Sequence, residues 1–227
     1  MIRKISGKPL FYFTYNQSKK SKLISNHFVA TDDDLIINEC KKLNINYLKT
    51  SKKHKTGTDR IAECLNKIDA DIYVNIQGDE PMVNPRSIDK VINCLKNNTT
   101  NSASTAYTEI NKEKELINKN VVKIVLNSSN EAVYLSRSKI PFNFNNNINL
   151  KFFKHLGLYA FKKDALETYK KNKQGILEQN ESIELLRLLE NNYRVKCVKI
   201  KNHPRSVDTL EDFKFIKRLI QNEKKDN

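Results

Sequence analysis

A carboxylate placed directly after a buried strand is a candidate for phosphate chemistry, and the segment DIYVNIQGDEP (71–81) supplies one. Residues 71–76 are apolar on both faces, as a central parallel strand would be, and run into Gln77, Gly78, Asp79, Glu80 and Pro81. In open α/β sheets, ligands sit outside the carboxyl ends of the strands, which is where Asp79 would stand. A hard oxygen donor there suits Mg²⁺ held against substrate phosphates. Gly78, lacking a Cβ, would let the backbone approach a ligand closely. Gly-Asp followed by Pro is also common strand-end punctuation, so a plain turn would use the same residues.

Several other chemistries are excluded. The five glycines, Gly7, Gly57, Gly78, Gly157 and Gly175, are too far apart for G-x-G-x-x-G or a Walker A loop. There is no G-x-S-x-G, and His27, His54, His155 and His203 form no H-E-x-x-H pair. Cys40, Cys64, Cys94 and Cys197 show no C-x-x-C and no zinc-ligand spacing. The first three lie among apolar neighbours in helical patterns, which predicts core thiols in a reducing compartment.

The formal net charge is +15, from 41 Lys+Arg against 26 Asp+Glu. A cationic surface attracts polyanions. No RNA-binding motif and no basic stretch interleaved with aromatics accompanies it, so no nucleic-acid partner is expected. A small anionic substrate accounts for the surplus. MIRKISGKPLFYF lacks the apolar core and cleavage site of a signal peptide. No apolar run approaches the roughly 20 residues that span a bilayer. The expectation is a cytoplasmic protein without membrane insertion.

The elements that must position Asp79 alternate between strand and helix. At 227 residues and 38% hydrophobic content, the chain can fill the core of one domain, 1–227. Residues 26–31 read as a short buried strand, followed by a helix in which Leu35, Ile36, Cys40 and Leu43 share a face. Residues 57–68 predict a helix capped by Thr58, and residues 85–97 another. Residues 121–126 and 131–136 flank the turn NSSN as a hairpin. Residues 155–161 and 195–200 are further strands, and 181–192 reads as one amphipathic helix. Thr209 and Asp212 have capping-box spacing before a last helix, 209–221. NFNNNINL (143–150) reads as a surface loop and NEKKDN (222–227) as a charged tail. This alternation argues for an α/β sandwich around a mostly parallel sheet.

Along the chain stand ISGKPL (5–10), FVATDD (28–33), HKTGTDRIAE (54–63), VNIQGDEP (74–81), NVVKIVL (120–126), AVYLSRSKIPF (132–142), FKHLGLYAF (153–161), NESIELLRLLE (180–190) and SVDTLEDF (206–213). In this order they resemble the 3-deoxy-manno-octulosonate cytidylyltransferases, or CMP-Kdo synthetases. The most specific are NIQGDEP, HKTGTDR, and SRSKIP together with HLGLY. The resemblance implies a three-layer, Rossmann-like nucleotidyltransferase fold with a mostly parallel central sheet. It also implies a homodimer that converts CTP and the acidic sugar Kdo into CMP-Kdo and pyrophosphate, for lipopolysaccharide synthesis.

Roles carry over by position. Asp79 and Asp208 match the carboxylates that hold Mg²⁺ in the family, although Asp208 also precedes a helix and would serve as an N-cap. His54, Thr58, Arg60, Gln77 and Gly78 match the nucleotide side. Arg137, His155, Tyr159 and Glu184 match positions around the sugar acid, where the planar fork of Arg137 suits a carboxylate. The implied chemistry is in-line attack of the anomeric hydroxyl on the α-phosphorus, without a covalent enzyme intermediate.

Three departures qualify this. The family's first strand and its P-A-R-x-x-S-x-R-x-P-G-K phosphate loop have no counterpart before ISGKPL. That predicts a poorly active chain, with backbone groups in the sheet left unpaired unless a neighbouring element or partner closes it. An inactive nucleotide-binding relative is the corresponding alternative. Leu185 stands where the family usually has Gln, which leaves amino-Kdo or a nonulosonic acid open as the sugar. Ser206 and Leu210 replace the common Gly and Pro around Asp208, a change in loop rigidity.

Overall fold

The computed structural model describes residues 1–96, 100–145, 149–201 and 203–223. Asn97, the centre of the 143–150 loop and the end of the tail, 224–227, lie outside the described residues. The chain opens with a small hairpin, β1 (Lys4–Ile5) and β2 (Lys8–Pro9), and the helix α1 (Leu10–Ser18). At the hairpin tip Ser6 and Gly7 both take positive φ, 47° and 78°, as a tight two-residue turn requires. Next come β3 (Val29–Thr31), α2 (Asp34–Lys42) and β4 (Tyr47–Lys49), in which β3 and β4 pair in parallel. β3 is shorter and less buried than expected. α2 buries Ile37 and Cys40 while Leu35 points to solvent, so its apolar face is rotated from the predicted one.

The main sheet holds β5 (Ile72–Ile76), β6 (Ala103–Glu109), β7 (Lys123–Leu126), β8 (Ala132–Ser136), β9 (Phe153–Lys162) and β10 (Val195–Lys199). β10 pairs with β6 in parallel, and β6 pairs along β9 antiparallel. The other edge of β9 carries β5 on one half and β7 on the other, both antiparallel. β5, β6, β7 and β10 therefore share one direction, and β9 with the hairpin strand β8 opposes them. β5 is correspondingly corrected from a parallel strand to one that, among the described residues, pairs only antiparallel with β9. The predicted hairpin is present, with β7 and β8 joined around Asn127 and Asn130.

Helices cover both faces. α4 (Pro85–Lys96) packs its Ile88, Val91, Ile92 and Leu95 against Leu156, Leu158 and Ala160 of β9. On the opposite face α3 (Gly57–Cys64), α6 (Lys163–Lys171) and α8 (Leu186–Glu190) pack against Tyr73, Tyr159 and Phe161. The two faces follow from the strand period of two, since alternate side chains of β9 enter different cores. The short helix α5 (Glu113–Ile117) precedes β7, and α7 (Ile176–Glu181) precedes α8. α9 (Leu210–Glu223) closes the described chain over β1 through Ile216 and Ile220 against Ile5.

Two capping expectations resolve differently. Thr209 and Asp212 form the predicted reciprocal box at α9. For α3 the cap is Thr56, not Thr58: its hydroxyl accepts the Asp59 N–H, and Asp59 accepts the Thr56 N–H. The predicted helix over 181–192 is also broken. Ser182 takes φ 51°, ending α7, and α8 begins only at Leu186. The residues in between are drawn into other partnerships described below.

β3 and β5 belong to different sheets, and among the described residues the outer edge of neither strand is paired. Between them lies an open cleft of about 1300 Å³, lined by Ala30 and Thr31 on one side and Val74 and Ile76 on the other.

Candidate active site

The carboxyl end of β5 brings most of the predicted residues together. Counting back from Gln77 by two gives Asn75 and Tyr73, which face α3, while Ile72, Val74 and Ile76 face the α4 side. Asn75 stands opposite Tyr159 across the β5–β9 ladder. His155, Gly157 and Tyr159 occupy alternate positions of β9 on that same face, and their rings stand 5.3 Å apart for His155 and Tyr159. A Cβ on Gly157 would meet the Gln77 side chain at 3.4 Å, and one on Gly57 would meet the Gln77 amide at 2.9 Å. These two glycines make room for Gln77.

His155 is partly buried. Its Nε2 lies 2.9 Å from the hydroxyl of Thr105, which itself donates to the Leu158 carbonyl at 2.9 Å. Burial, and then His203, push its imidazole down to about 3, so it is neutral near pH 7. Burial first, and then Glu184, Asp79 and Glu80, raise Tyr159 well above the ordinary phenol. These influences place Tyr159 in the field of the carboxylates at the β5 end.

Asp79 is half-buried and is pushed up to about 6, chiefly by burial, then by Glu80 and Asp208. The loop bearing Asp208 is tied to it through the Val207 N–H, which donates to the Asp79 carbonyl at 2.9 Å. A second link joins the buried pair His203 and Glu80 at 3.2 Å. Asp208 is exposed and accepts from the Ser206 hydroxyl at 3.1 Å. Asp79 and Asp208 lie close enough for their charges to interact, and each offers hard oxygen donors to a divalent cation. Among the described residues no cage of three or more ligating side chains is preassembled.

The remaining predicted residues separate by location. Arg60, Gln77 and Gly78 line the cleft between β3 and β5, as does Gly57. Arg60 is held at 2.7 Å by Asp32 and at 2.5 Å by Thr50. His54 pairs with Glu63 at 2.5 Å, and neither is among the residues that line the cleft. Thr58 is buried and donates its hydroxyl to Glu184. The Glu184 carboxylate also accepts the Gly57 N–H at 3.0 Å and the Thr58 N–H at 3.1 Å.

Arg137 lies apart. Its guanidinium donates to the main-chain carbonyls of Lys119, Glu181 and Ser182, and its own N–H to the Glu181 carboxylate. In this arrangement its fork binds backbone, not an open pocket. Leu185 is buried in the core with Leu186 and Leu188, so it faces no site. The sequence reading missed Asn75, although the period of two back from Gln77 points to it. It also missed Arg187, buried under Tyr169 at 3.7 Å from ring centroid and bonded to Glu178 and Asp59.

The layered fold, with carboxylates just beyond a central strand and a cleft beside it, is that of a nucleotidyltransferase. The sequence pattern of the cytidylyltransferase family matches residues 1–200. The 3-deoxy-manno-octulosonate cytidylyltransferase of Chloroherpeton thalassium is 39% identical over 97% of this chain and 90% of its own length. That of Chlorobium phaeobacteroides is 37% identical over 98% and 91%. A solved CMP:2-keto-3-deoxy-manno-octonic acid synthetase complexed with CTP superposes with a TM-score of 0.92 at 30% identity, covering 98% of this chain and 91% of that one. A 4-diphosphocytidyl-2C-methyl-D-erythritol synthase from Anaerococcus prevotii, 18% identical, covers 97% of this chain and 91% of its own with a TM-score of 0.63, a likeness of fold alone. The chain belongs to the cytidylyltransferase family, as a CMP-Kdo synthetase relative.

Proposed function

We propose that the chain transfers CMP from CTP to 3-deoxy-manno-octulosonate, releasing pyrophosphate, with Mg²⁺ held by Asp79 and Asp208. The observation that carries this reading is the site itself: the resemblance's nucleotide residues Arg60, Gln77 and Gly78 line one cleft, and Asp79 stands three residues beyond the strand that borders it. The anomeric hydroxyl of the sugar attacks the α-phosphorus, one P–O bond forms, and the bond to pyrophosphate breaks. Mg²⁺, when bound, neutralises charge on the phosphates.

The protein's own part is orientation. Gly57 and Gly157 leave the Gln77 amide free to reach the nucleotide. Neutral His155, held on Thr105, and Tyr159 present hydrogen-bonding groups from one face of β9 toward the sugar. Holding both reactants in line supplies much of the acceleration, so no side-chain nucleophile is needed.

The product serves lipopolysaccharide synthesis in the cytoplasm. The four cysteines are free thiols, which suits a reducing compartment. No described helix is long and apolar enough to cross a membrane. The active form is a homodimer, a reading supported by Phe142 and Phe144, which are 82% and 90% exposed. Pyrophosphate release from CTP with a panel of acid sugars tests the activity. Turnover with a nonulosonic acid but none with Kdo would overturn the assigned substrate. Light scattering on a Phe142→Ser, Phe144→Ser double variant tests the dimer, which should become monomeric.

A further inference from the structure

Glu184 is unusual for a group that the resemblance places beside the sugar. Both of its carboxylate oxygens are already engaged, and both point to a segment 126 residues earlier in the chain. The first turn of α3 shows why. Its N-terminal N–H groups have no partner within the helix and need one from outside. Thr56 accepts the Asp59 N–H, and the Arg60 N–H reaches the Thr56 carbonyl. That leaves Gly57 and Thr58, and Glu184 takes both. A carboxylate at a helix N-terminus is also favoured by the helix dipole.

The link leads onward to the cleft. Gly57 packs so closely on Gln77 that an added Cβ would sit 2.9 Å from the Gln77 amide, and 3.5 Å from both Asn75 and Glu184. Gly57, Arg60, Gln77 and Gly78 line the cleft, whereas Glu184 is not among its lining residues. The same turn is tied a second time, because Asp59 accepts from Arg187 at 2.8 Å. The stretch that breaks the expected long helix, residues 182–185, is thus the one that delivers Glu184 to α3.

We propose that Glu184 is a positioning residue for the nucleotide side: it fixes the first turn of α3 and, through Gly57, the Gln77 amide. This rests on the proposed cytidylyl transfer for its kinetic consequence but not for its structural one. The experiment compares wild type, Glu184→Gln, Thr58→Val and the double variant by hydrogen–deuterium exchange and steady-state kinetics. In Glu184→Gln the amides of Gly57 and Thr58 should lose protection, while those of β9 keep theirs. The KM for CTP should rise roughly tenfold with the KM for the sugar unchanged, since charge-assisted bonds to the turn are lost. The two single substitutions should be non-additive, because both act through one contact.

Unchanged protection at residues 57–58 in Glu184→Gln would overturn the proposal outright. A raised sugar KM with an unaltered CTP KM would overturn it too, returning Glu184 to the sugar pocket. Should wild type neither bind nor turn over CTP, the functional reading fails, and the exchange pattern alone decides whether Glu184 holds α3. Thr58→Val keeps that decision available if Glu184→Gln does not fold.

Discussion

The two sides of β5 are built on opposite plans. Toward α3 and α8, polar groups are buried, paired and interlocked: Glu184 on α3, Arg187 between Glu178 and Asp59, His155 on Thr105. Toward β3, the strand edge is open and faces a cleft of about 1300 Å³. The first side fixes geometry in advance, and the second leaves room for a ligand. Reactions that rely on positioning benefit from having both, since a rigid wall orients whatever enters the open half.

The largest expected effect lies where the two sides meet. Asp79→Asn or Asp208→Asn should lower turnover by about a thousandfold, because phosphate charge left unneutralised is worth several kcal/mol in the transition state. The Tm should change little, and near-normal Mg²⁺-dependent turnover in either variant would remove the metal assignment.

Next come two arginines, one from each side. Arg187→Met leaves Glu178 buried without its cation, and breaking a buried pair costs about 3–5 kcal/mol. Arg60→Met removes a partly exposed pair with Asp32, for which about 0–1 kcal/mol is expected. Urea unfolding of both variants measures the contrast; equal losses would mean that the closed and open sides do not differ energetically.

A third effect is in acid. The native His155 titrates near 3 and the unfolded imidazole near 6.5, so between these values the unfolded chain binds a proton that the native state refuses. Its contribution to stability is complete above pH 6.5 and is lost as pH falls toward 3. His155→Gln should flatten the stability profile across that window, and an unchanged slope would refute the lowered imidazole. The smallest effect is local: deuterium exchange should be faster at the unpaired edges of β3 and β5 than in β6 and β9, which are paired along their length.

Local signals explain what could be read in advance. The strand at 72–76, the hairpin around 127–130 and the Thr209–Asp212 box each rest on patterns a few residues long. Thr56 was equally legible, since Thr-x-x-Asp spells its capping box, but Thr58 drew the reading two residues late. The break at Ser182 was not legible. It exists because Glu181 binds Ser136 and Arg137 while Glu184 binds α3, demands set by distant parts of the chain. Arg137 shows the same limit: its type suits a carboxylate, yet its surroundings supply three carbonyls. The alternation of strand and helix indicated the layers, but not that β9 would insert antiparallel between β5 and β6.

The unpaired edges along the cleft also bear on how the molecule melts. Cooperativity requires that each part lose its partners when its neighbour unfolds. Among the described residues no ladder joins the β3–β4 pair to the main sheet across the cleft. The coupling rests instead on side-chain contacts, such as those of α3 with both layers and of Arg60 with Asp32. A partition of this kind lets the smaller layer open below the global transition, as an independent foldon. Calorimetry would then record a van't Hoff enthalpy below the calorimetric one, and a ligand bridging the cleft would draw the two values together.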